Sequence, residues 1–397
     1  MSSFTNYRYS HHKKPKFLFI NLPNKNKTLK LITNTLYLIL NVLTISSIFT
    51  NTAHAYDIEQ YLLLSSTTEY DSNPIMTEKN KQSLFRLTLA PTYSFAKIDE
   101  NQKINFDASL NVQRSTDTQM SADRNDPRVN FGWLYGSAKN QYNVNLGYSK
   151  YSTRFSELTE SGFIQQDGSV LNKNISAGWG RTITERLISK INASYSDAVF
   201  TAAGLSSYTS KQINGNLSYA YSEYFSPYIQ ASISDYKTQV NPKPISSTNY
   251  SIGSTILVSE RLDVNANVGL NHTSTAGNGW IALFGTHYKN EYSSLSATLQ
   301  RSVNPTGLTD LQKTDSLVLN YTYDLSDLSA IGSTINFLKS DSITSNKVRQ
   351  VDAFYSRTLS PQCNIRVILT DKNYETNTNS AHGNVLGFSL TYQTPNL

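Results

Sequence analysis

A histidine two residues from a serine is the pairing from which a hydrolase builds a nucleophile, and the chain carries one at His272-Thr273-Ser274-Thr275-Ala276-Gly277. An imidazole serves best as the seryl base when a third group fixes its tautomer. That third residue is missing, so the bland reading, a loop histidine beside a loop serine, is preferred over catalysis by His272 and Ser274. Beyond residue 55 the other histidines are His287 and His382, and Cys363 is the sole cysteine. An intramolecular disulfide, a CxxC redox pair and a thiolate zinc cluster are thereby excluded. No phosphate-cradling glycine loop, EF-hand pattern or metal-ligand cluster appears, and Asp71-Ser72-Asn73 reads as a turn at a strand end. Neither a metal nor a cofactor is expected.

The other chemistry on offer is spread out. Asn105, Asn111, Asn143, Asn145, Asn214, Asn216, Asn265, Asn267 and Asn320, with Asp263, recur at alternate positions among Ser, Thr and Gly. Charges of the same parity are sparse, including Arg86, Asp107, Lys190, Asp263 and Arg366. A surface made of these is neutral and hydrogen-bonding, and it suits uncharged polar solutes, saccharides among them, better than strong ion selection. The plain alternative is that a large barrel needs hydrated side chains inside whatever passes.

The elements that carry these residues follow from residues 248–272. Tyr250, Ile252, Ile256 and Val258 take alternate places with Ser251, Gly253 and Thr255 between them. After Ser259-Glu260-Arg261, Leu262, Val264, Ala266, Val268 and Leu270 alternate with Asp263, Asn265, Asn267, Gly269 and Asn271. Period 2 over such a length predicts two antiparallel strands, each with one apolar and one polar face. Each arm has roughly 11 or 12 alternating residues, against about 5 or 6 in an ordinary strand and about 9 to 11 in a tilted membrane-spanning one. The unit is therefore read as one hairpin of a barrel in a membrane.

The same unit recurs from a first strand near 59–70 to a last near 382–394. The fold expected is all-β: a transmembrane, antiparallel, up-and-down β-barrel of about 18 strands, between 16 and 20. Connections alternate between short ones, such as Lys139-Asn140, and longer ones, matching periplasmic turns and external loops. A propeller would repeat every four strands instead. Trp133, Trp179, Trp280, Tyr321, Tyr355 and Tyr392 fall near strand ends on the apolar parity and suit the headgroup level as membrane girdles; cross-strand aromatic pairing is the competing reading.

Residues 1–55 are read as a signal peptide. Arg8, Lys13, Lys14, Lys16, Lys25, Lys27 and Lys30 precede an apolar run over residues 36–49, and Ala53-His54-Ala55 offers small residues to the peptidase. A membrane anchor over 29–49 is disfavoured by Asn34, Thr35 and Asn41. The net charge of +6 sits in this leader: the seven bases named are unaccompanied by acids, which leaves 28 Lys+Arg against 29 Asp+Glu in residues 56–397. The basic hint of a nucleic-acid partner disappears with it. Cleavage after Ala55 and location in a bacterial outer membrane are the expectations.

Two stretches resemble a family of outer-membrane β-barrels encoded in exosortase and exopolysaccharide gene neighbourhoods. One is Glu69-Tyr70-Asp71-Ser72-Asn73-Pro74 with Leu89-Ala90-Pro91; the other is Tyr355-Ser356-Arg357-Thr358-Leu359-Ser360-Pro361, echoed by Phe225-Ser226-Pro227. The resemblance implies an outer-membrane porin-like barrel with outer-membrane lipid and the barrel assembly machinery as partners, and a role in polysaccharide export or uptake. Such barrels often finish on an aromatic residue; here Tyr392 is followed by residues 393–397. The pair His272 and Ser274 also resembles that of outer-membrane phospholipases and lipid A deacylases, which are smaller barrels with an Asn or Glu as third residue. Three functions remain: a channel, a structural or surface-interaction barrel with a closed lumen, and, more distantly, a lipid-modifying hydrolase.

Overall fold

The computed structural model describes residues 57–154, 167–241, 243–308, 311–341, 346–376 and 378–396. The leader read over residues 1–55 lies outside the described residues. The rest is one closed antiparallel barrel of β1 (Asp57–Asp71), β2 (Leu84–Ile98), β3 (Gln102–Ser115), β4 (Arg124–Gly136), β5 (Asn140–Ser152), β6 (Ser169–Thr182), β7 (Leu187–Phe200), β8 (Tyr208–Tyr219) and β9 (Phe225–Thr238). It continues through β10 (Ile245–Ser259), β11 (Leu262–Thr273), β12 (Gly277–Lys289), β13 (Ser293–Pro305), β14 (Leu311–Ser326), β15 (Ser329–Asp341), β16 (Asn346–Ser360), β17 (Cys363–Thr376) and β18 (Ser380–Gln393). Every strand pairs with its sequence neighbours, and β18 pairs with β1 from Leu63↔Gln393 to Asp71↔Val385, so the sheet closes on itself.

Short turns close one end by a repeated local device. Ser259 Oγ accepts the Arg261 N–H (3.3 Å), Ser326 Oγ the Leu328 N–H (3.3 Å) and Ser360 Oγ the Gln362 N–H (3.3 Å), each next to a register shift in its hairpin. A hydroxyl that captures the amide two residues on mimics a backbone turn, so Ser at the strand end specifies the reversal. At the loop end, Gly277 (φ +70°) makes the tight connection between β11 and β12, a conformation costly for other residues.

Pairing register separates the two faces. Tyr250↔Leu270, Ile252↔Val268 and Ile213↔Ile233 stand on one face, where Ile213 is 61% and Leu270 69% exposed. The other face carries Asn249↔Asn271 and Gly253↔Asn267. It is the interior, because its side chains meet strands that are not neighbours: Tyr236 Oη of β9 donates to Thr306 O beyond β13 (2.5 Å), and Lys372 of β17 reaches Asp71 of β1. An exposed apolar outside around a polar inside is the reverse of a soluble domain, and it needs an apolar solvent.

Nearly all buried side chains lie at the loop end, where connections fold inward. Met76, after β1, packs with Leu338, Val348, Tyr374 and Ala381 on the inner face of β15 to β18. Its backbone is held at φ +53°, a strained value for a non-glycine residue. The tip after β13 likewise bends in, with Gly307 O accepting the Ser206 N–H (2.7 Å). In doing so it leaves β12, and the β12/β13 ladder stops at Ala282↔Arg301 although both strands continue. At the opposite end the tail joins the seam: Thr394 N–H donates to Leu62 O (2.9 Å), and Asn396 Oδ1 accepts the Gln60 N–H (2.7 Å).

Candidate functional site: the inner wall

Register places all ten polar residues singled out in the sequence on the inner face. Asn105 opposes Gly132, Asn111 opposes Asp126, and Asn143 and Asn145 oppose Gly178 and Ser176. Asn214 and Asn216 face Ser232 and Gln230; Asp263, Asn265 and Asn267 face His287, Gly285 and Leu283; Asn320 faces Ser296. Asn111, Asn145 and Asn320 are exposed and the others half-buried, so solvent-sized space adjoins them inside the barrel.

Trp133, Trp179, Trp280, Tyr321, Tyr355 and Tyr392 all stand on the outer parity. Trp133, Trp179, Tyr321, Tyr355 and Tyr392 lie toward the short-turn end, whereas Trp280 stands toward the loops, where Arg301 stacks on its ring at 4.0 Å. The aromatic levels are thus unequal, with Trp133, Tyr135 and Tyr142 forming a cluster at the turn end (centroids 6.2 and 6.3 Å apart).

His272 belongs to β11 and points outward, paired with Thr248 and Asn278. Its Nδ1 is 2.7 Å from Asn278 Oδ1, and Ser274 Oγ accepts the Ser246 N–H at 3.1 Å. Asn278 thus stands where a tautomer-fixing third group would, which the sequence reading did not find, but no bond joins His272 to Ser274 and the triad is not assembled among the described residues. No group of three metal-ligating residues occurs among them either.

The charges expected to be sparse on this face are gathered mainly on one side of the barrel. From β6 to β15 the inner positions are mostly amide, hydroxyl or small, with interspersed apolar ones such as Ile281, Leu283 and Leu338, and the charges there, such as Lys190, Asp263 and His287, fall toward the short turns. From β16 through β18 to β1–β4 the inner face is ionic. Arg86 reaches both Glu69 and Asp71 at 3.2 Å, and Lys372 Nζ lies 2.8 Å from Asp71, which is 1% exposed. Deeper in the barrel Arg366 stacks over Phe354 at 3.7 Å, and Asp352 accepts from Thr370 Oγ1 (2.5 Å). Arg124, near the loops, pairs with Asp167 at 3.2 Å. Arg154, just beyond β5, donates to Met120 O (2.6 Å); burial pushes its pKa down against the pull of Asp167, yet a guanidinium stays cationic.

Asp71 and Asn73 of the stretch read as a turn organise this end. Asn73 Nδ2 donates to Thr77 O (2.8 Å) and His382 O (3.0 Å), its Oδ1 accepts the Thr77 N–H (3.0 Å), and Asp71 Oδ1 accepts the Asn73 N–H (3.1 Å). The side chain thereby fixes the loop that drives Met76 inward. Proximity of Asp71 to Lys372, 301 positions apart, is set by barrel closure and has no local sequence signal.

On the neutral half, Tyr228 lies over Gly253, where a Cβ would come within 2.6 Å of its Cζ. Glycine is required there for the ring to lie flat, and the phenol then donates to Asn265 Oδ1 (3.0 Å) and receives Asn267 Nδ2 (3.3 Å). These asparagines are held in fixed orientations by the wall itself.

No protein-family model matches the chain. No curated protein matches it. Solved structures similar to it include OpdQ of Pseudomonas aeruginosa (10% identity, TM-score 0.48, 85% of this chain and 99% of that one). The siderophore receptor PirA of Acinetobacter baumannii is 8% identical, with TM-score 0.44 over 85% of this chain and 80% of that one. A mutant of the ferric enterobactin receptor PfeA of Pseudomonas aeruginosa is 7% identical, with TM-score 0.46 over 85% and 80%.

Proposed function

We propose that the chain is an outer-membrane β-barrel that forms a porin-like channel for uncharged polar solutes. One observation carries this reading: Asn111, Asn145 and Asn320 are solvent-exposed although they point into a closed barrel whose outside is apolar. A lumen that leaves amides wet can hold water and small solutes, and a wall that carries both signs of charge, with Arg86 and Lys372 offset by Asp71, is a poor ion selector. The outward apolar face, with Trp133, Trp179, Trp280, Tyr321, Tyr355 and Tyr392 as its interfacial girdle, is matched to membrane lipid. The leader over residues 1–55 would deliver the chain to the periplasm for insertion by the barrel assembly machinery. Polysaccharide export or uptake is the transport role that its likeness to the exopolysaccharide-associated barrels suggests.

Liposome swelling tests the channel. Proteoliposomes loaded with an impermeant polymer should swell in isosmotic neutral monosaccharide; swelling no faster than in protein-free liposomes would sink the reading. The inward fold of the loops around Met76 and Gly307 favours a second reading, a surface barrel with a closed mouth, and that same null result would support it. The hydrolase reading has less behind it, since His272 and Ser274 are engaged by Asn278 and Ser246 and not by each other. If purified protein did show lipase activity, its survival in Ser274→Ala would remove this serine from consideration.

A further inference from the structure

Between β8 and β13 the neutral half of the inner wall holds a recess of about 320 Å³. Gln212, Gln230 and Gln300 line it, and their side-chain amides make no hydrogen bond to the described residues. Asn249 and Asn267 line it too, but these are already aimed: Asn249 Nδ2 donates to Ser232 Oγ (3.1 Å) and Asn267 Nδ2 to Tyr228 Oη (3.3 Å). Ile281 and Leu283, at inward positions of β12, supply an apolar patch among the amides.

We propose that this recess is a docking subsite for one neutral sugar unit; the inference rests on the channel reading and names the solute class of that channel. Each hydroxyl of a sugar both donates and accepts, and a carboxamide offers both functions side by side, so free glutamines can pair with neighbouring hydroxyls. The C–H face of the ring needs an apolar partner, which Ile281 and Leu283 provide. An anion has little to hold it: the one cation among the lining residues, Arg301, has the outward parity of β13, where it stacks on Trp280 and bonds Asp315 at 2.5 and 2.6 Å. A cation has no carboxylate in the lining at all.

A second observation points the same way. At the loop-side margin Asn271 is 2% and Gln312 3% exposed, yet Asn271 Oδ1 and both amide atoms of Gln312 lack hydrogen-bond partners. Asn271 donates to Asn249, a lining residue, and Gln312 is the register partner of Asn304, another. Buried amides without partners are rare because the desolvation is uncompensated. Their clustering beside a recess lined with further free amides fits a place where ligand hydroxyls complete the bonding.

The test uses the full chain purified in lauryldimethylamine oxide micelles, which carry no sugar headgroup. Isomaltotriose, a neutral trisaccharide, and trigalacturonate, an anionic one of similar size, are titrated in by calorimetry. Saturable binding of isomaltotriose, weaker binding of trigalacturonate, and a Kd raised about tenfold in Gln230→Ala/Gln300→Ala are expected, a change of ~1.4 kcal/mol. Glu223→Ala, exposed in the short turn between β8 and β9, should leave the Kd unchanged. Gln212→Ala, a change at an exposed side chain that bonds to nothing, serves as a variant that leaves the fold intact, with heat-modifiable gel migration as the check. No binding of isomaltotriose, an unchanged Kd in the glutamine variants, or tighter binding of trigalacturonate would overturn the subsite. Ion conductance of the same preparation reads the channel separately. Conductance without sugar binding overturns the subsite and spares the channel; glutamine-dependent binding without conductance does the reverse.

Discussion

The two halves of the inner wall solve the same problem, lining a wide barrel with polar groups, in opposite ways. On β16–β18 and β1–β4 opposite charges are brought together: Arg86 and Lys372 converge on the almost fully buried Asp71, and Met76 closes over this corner. On β6–β15 many amides stay exposed, whether bonded to nothing, as with Gln212, or to a hydroxyl along the wall, as Asn320 is to Ser296 and Thr334. The difference teaches a division of labour. An ionic network in a secluded site is rigid, because each charge is costly without its partners. An amide wall has no such penalty and can exchange water for a solute hydroxyl at little cost.

Breaking the network should therefore have the largest effect on stability. Asp71→Ala leaves Arg86 and Lys372 without their shared carboxylate and is expected to destabilise by ~3–5 kcal/mol. The temperature at which the barrel loses its fast gel migration should fall accordingly, and no change would mean that the two cations are adequately solvated by lumen water. Asn73→Ala comes next. It removes four bonds that shape the loop around Met76, at about 0.5–1.5 kcal/mol each. Proteolysis within residues 72–83 should become faster, and single-channel conductance should rise if that loop narrows the mouth.

These two loci also show what could be read from the chain alone. Strand existence, a count of about 18 and the face of every singled-out asparagine follow from a period of two, a local signal that Leu262 to Asn271 display in full. The ionic corner does not. Asp71 stands at the last position of β1, next to turn residues, and Lys372 near the far end of the sequence; only the closed ladder brings them together. Inward loops escaped for the same reason, since a Pro-Ile-Met stretch after a strand looks like any connection until the apolar inner positions Leu338, Val348 and Ala381 are seen beneath it. The His272 and Ser274 spacing was legible as a motif, but hydrogen bonds to Asn278 and Ser246 were not.

A smaller effect should sharpen the contrast between halves. A new charge at Asn320, on the amide wall, has no cation at its paired or diagonal inward positions, so Asn320→Asp should move the reversal potential in a KCl gradient toward cation selectivity. Asn105→Asp, on the ionic half with Lys103 two residues away on the same face, should move it less. Equal shifts would mean that the halves do not differ electrostatically.

The least effect is expected outside both halves, at the tail that completes the seam. Asn396→Ala loses the bonds to Gln60 N–H and Ile58 O and should cost ~1 kcal/mol, seen as a slight fall in the gel-shift temperature. A fall as large as that of Asp71→Ala would relocate the stabilising centre from the mouth to the seam.

The central claim, a hydrated lumen open from one side of the membrane to the other, is tested most directly in a planar bilayer. Purified protein should insert with discrete steps of conductance and weak discrimination between potassium and chloride. A membrane that takes up the folded barrel, shown by its heat-modifiable migration after recovery, yet never shows a step would contradict it.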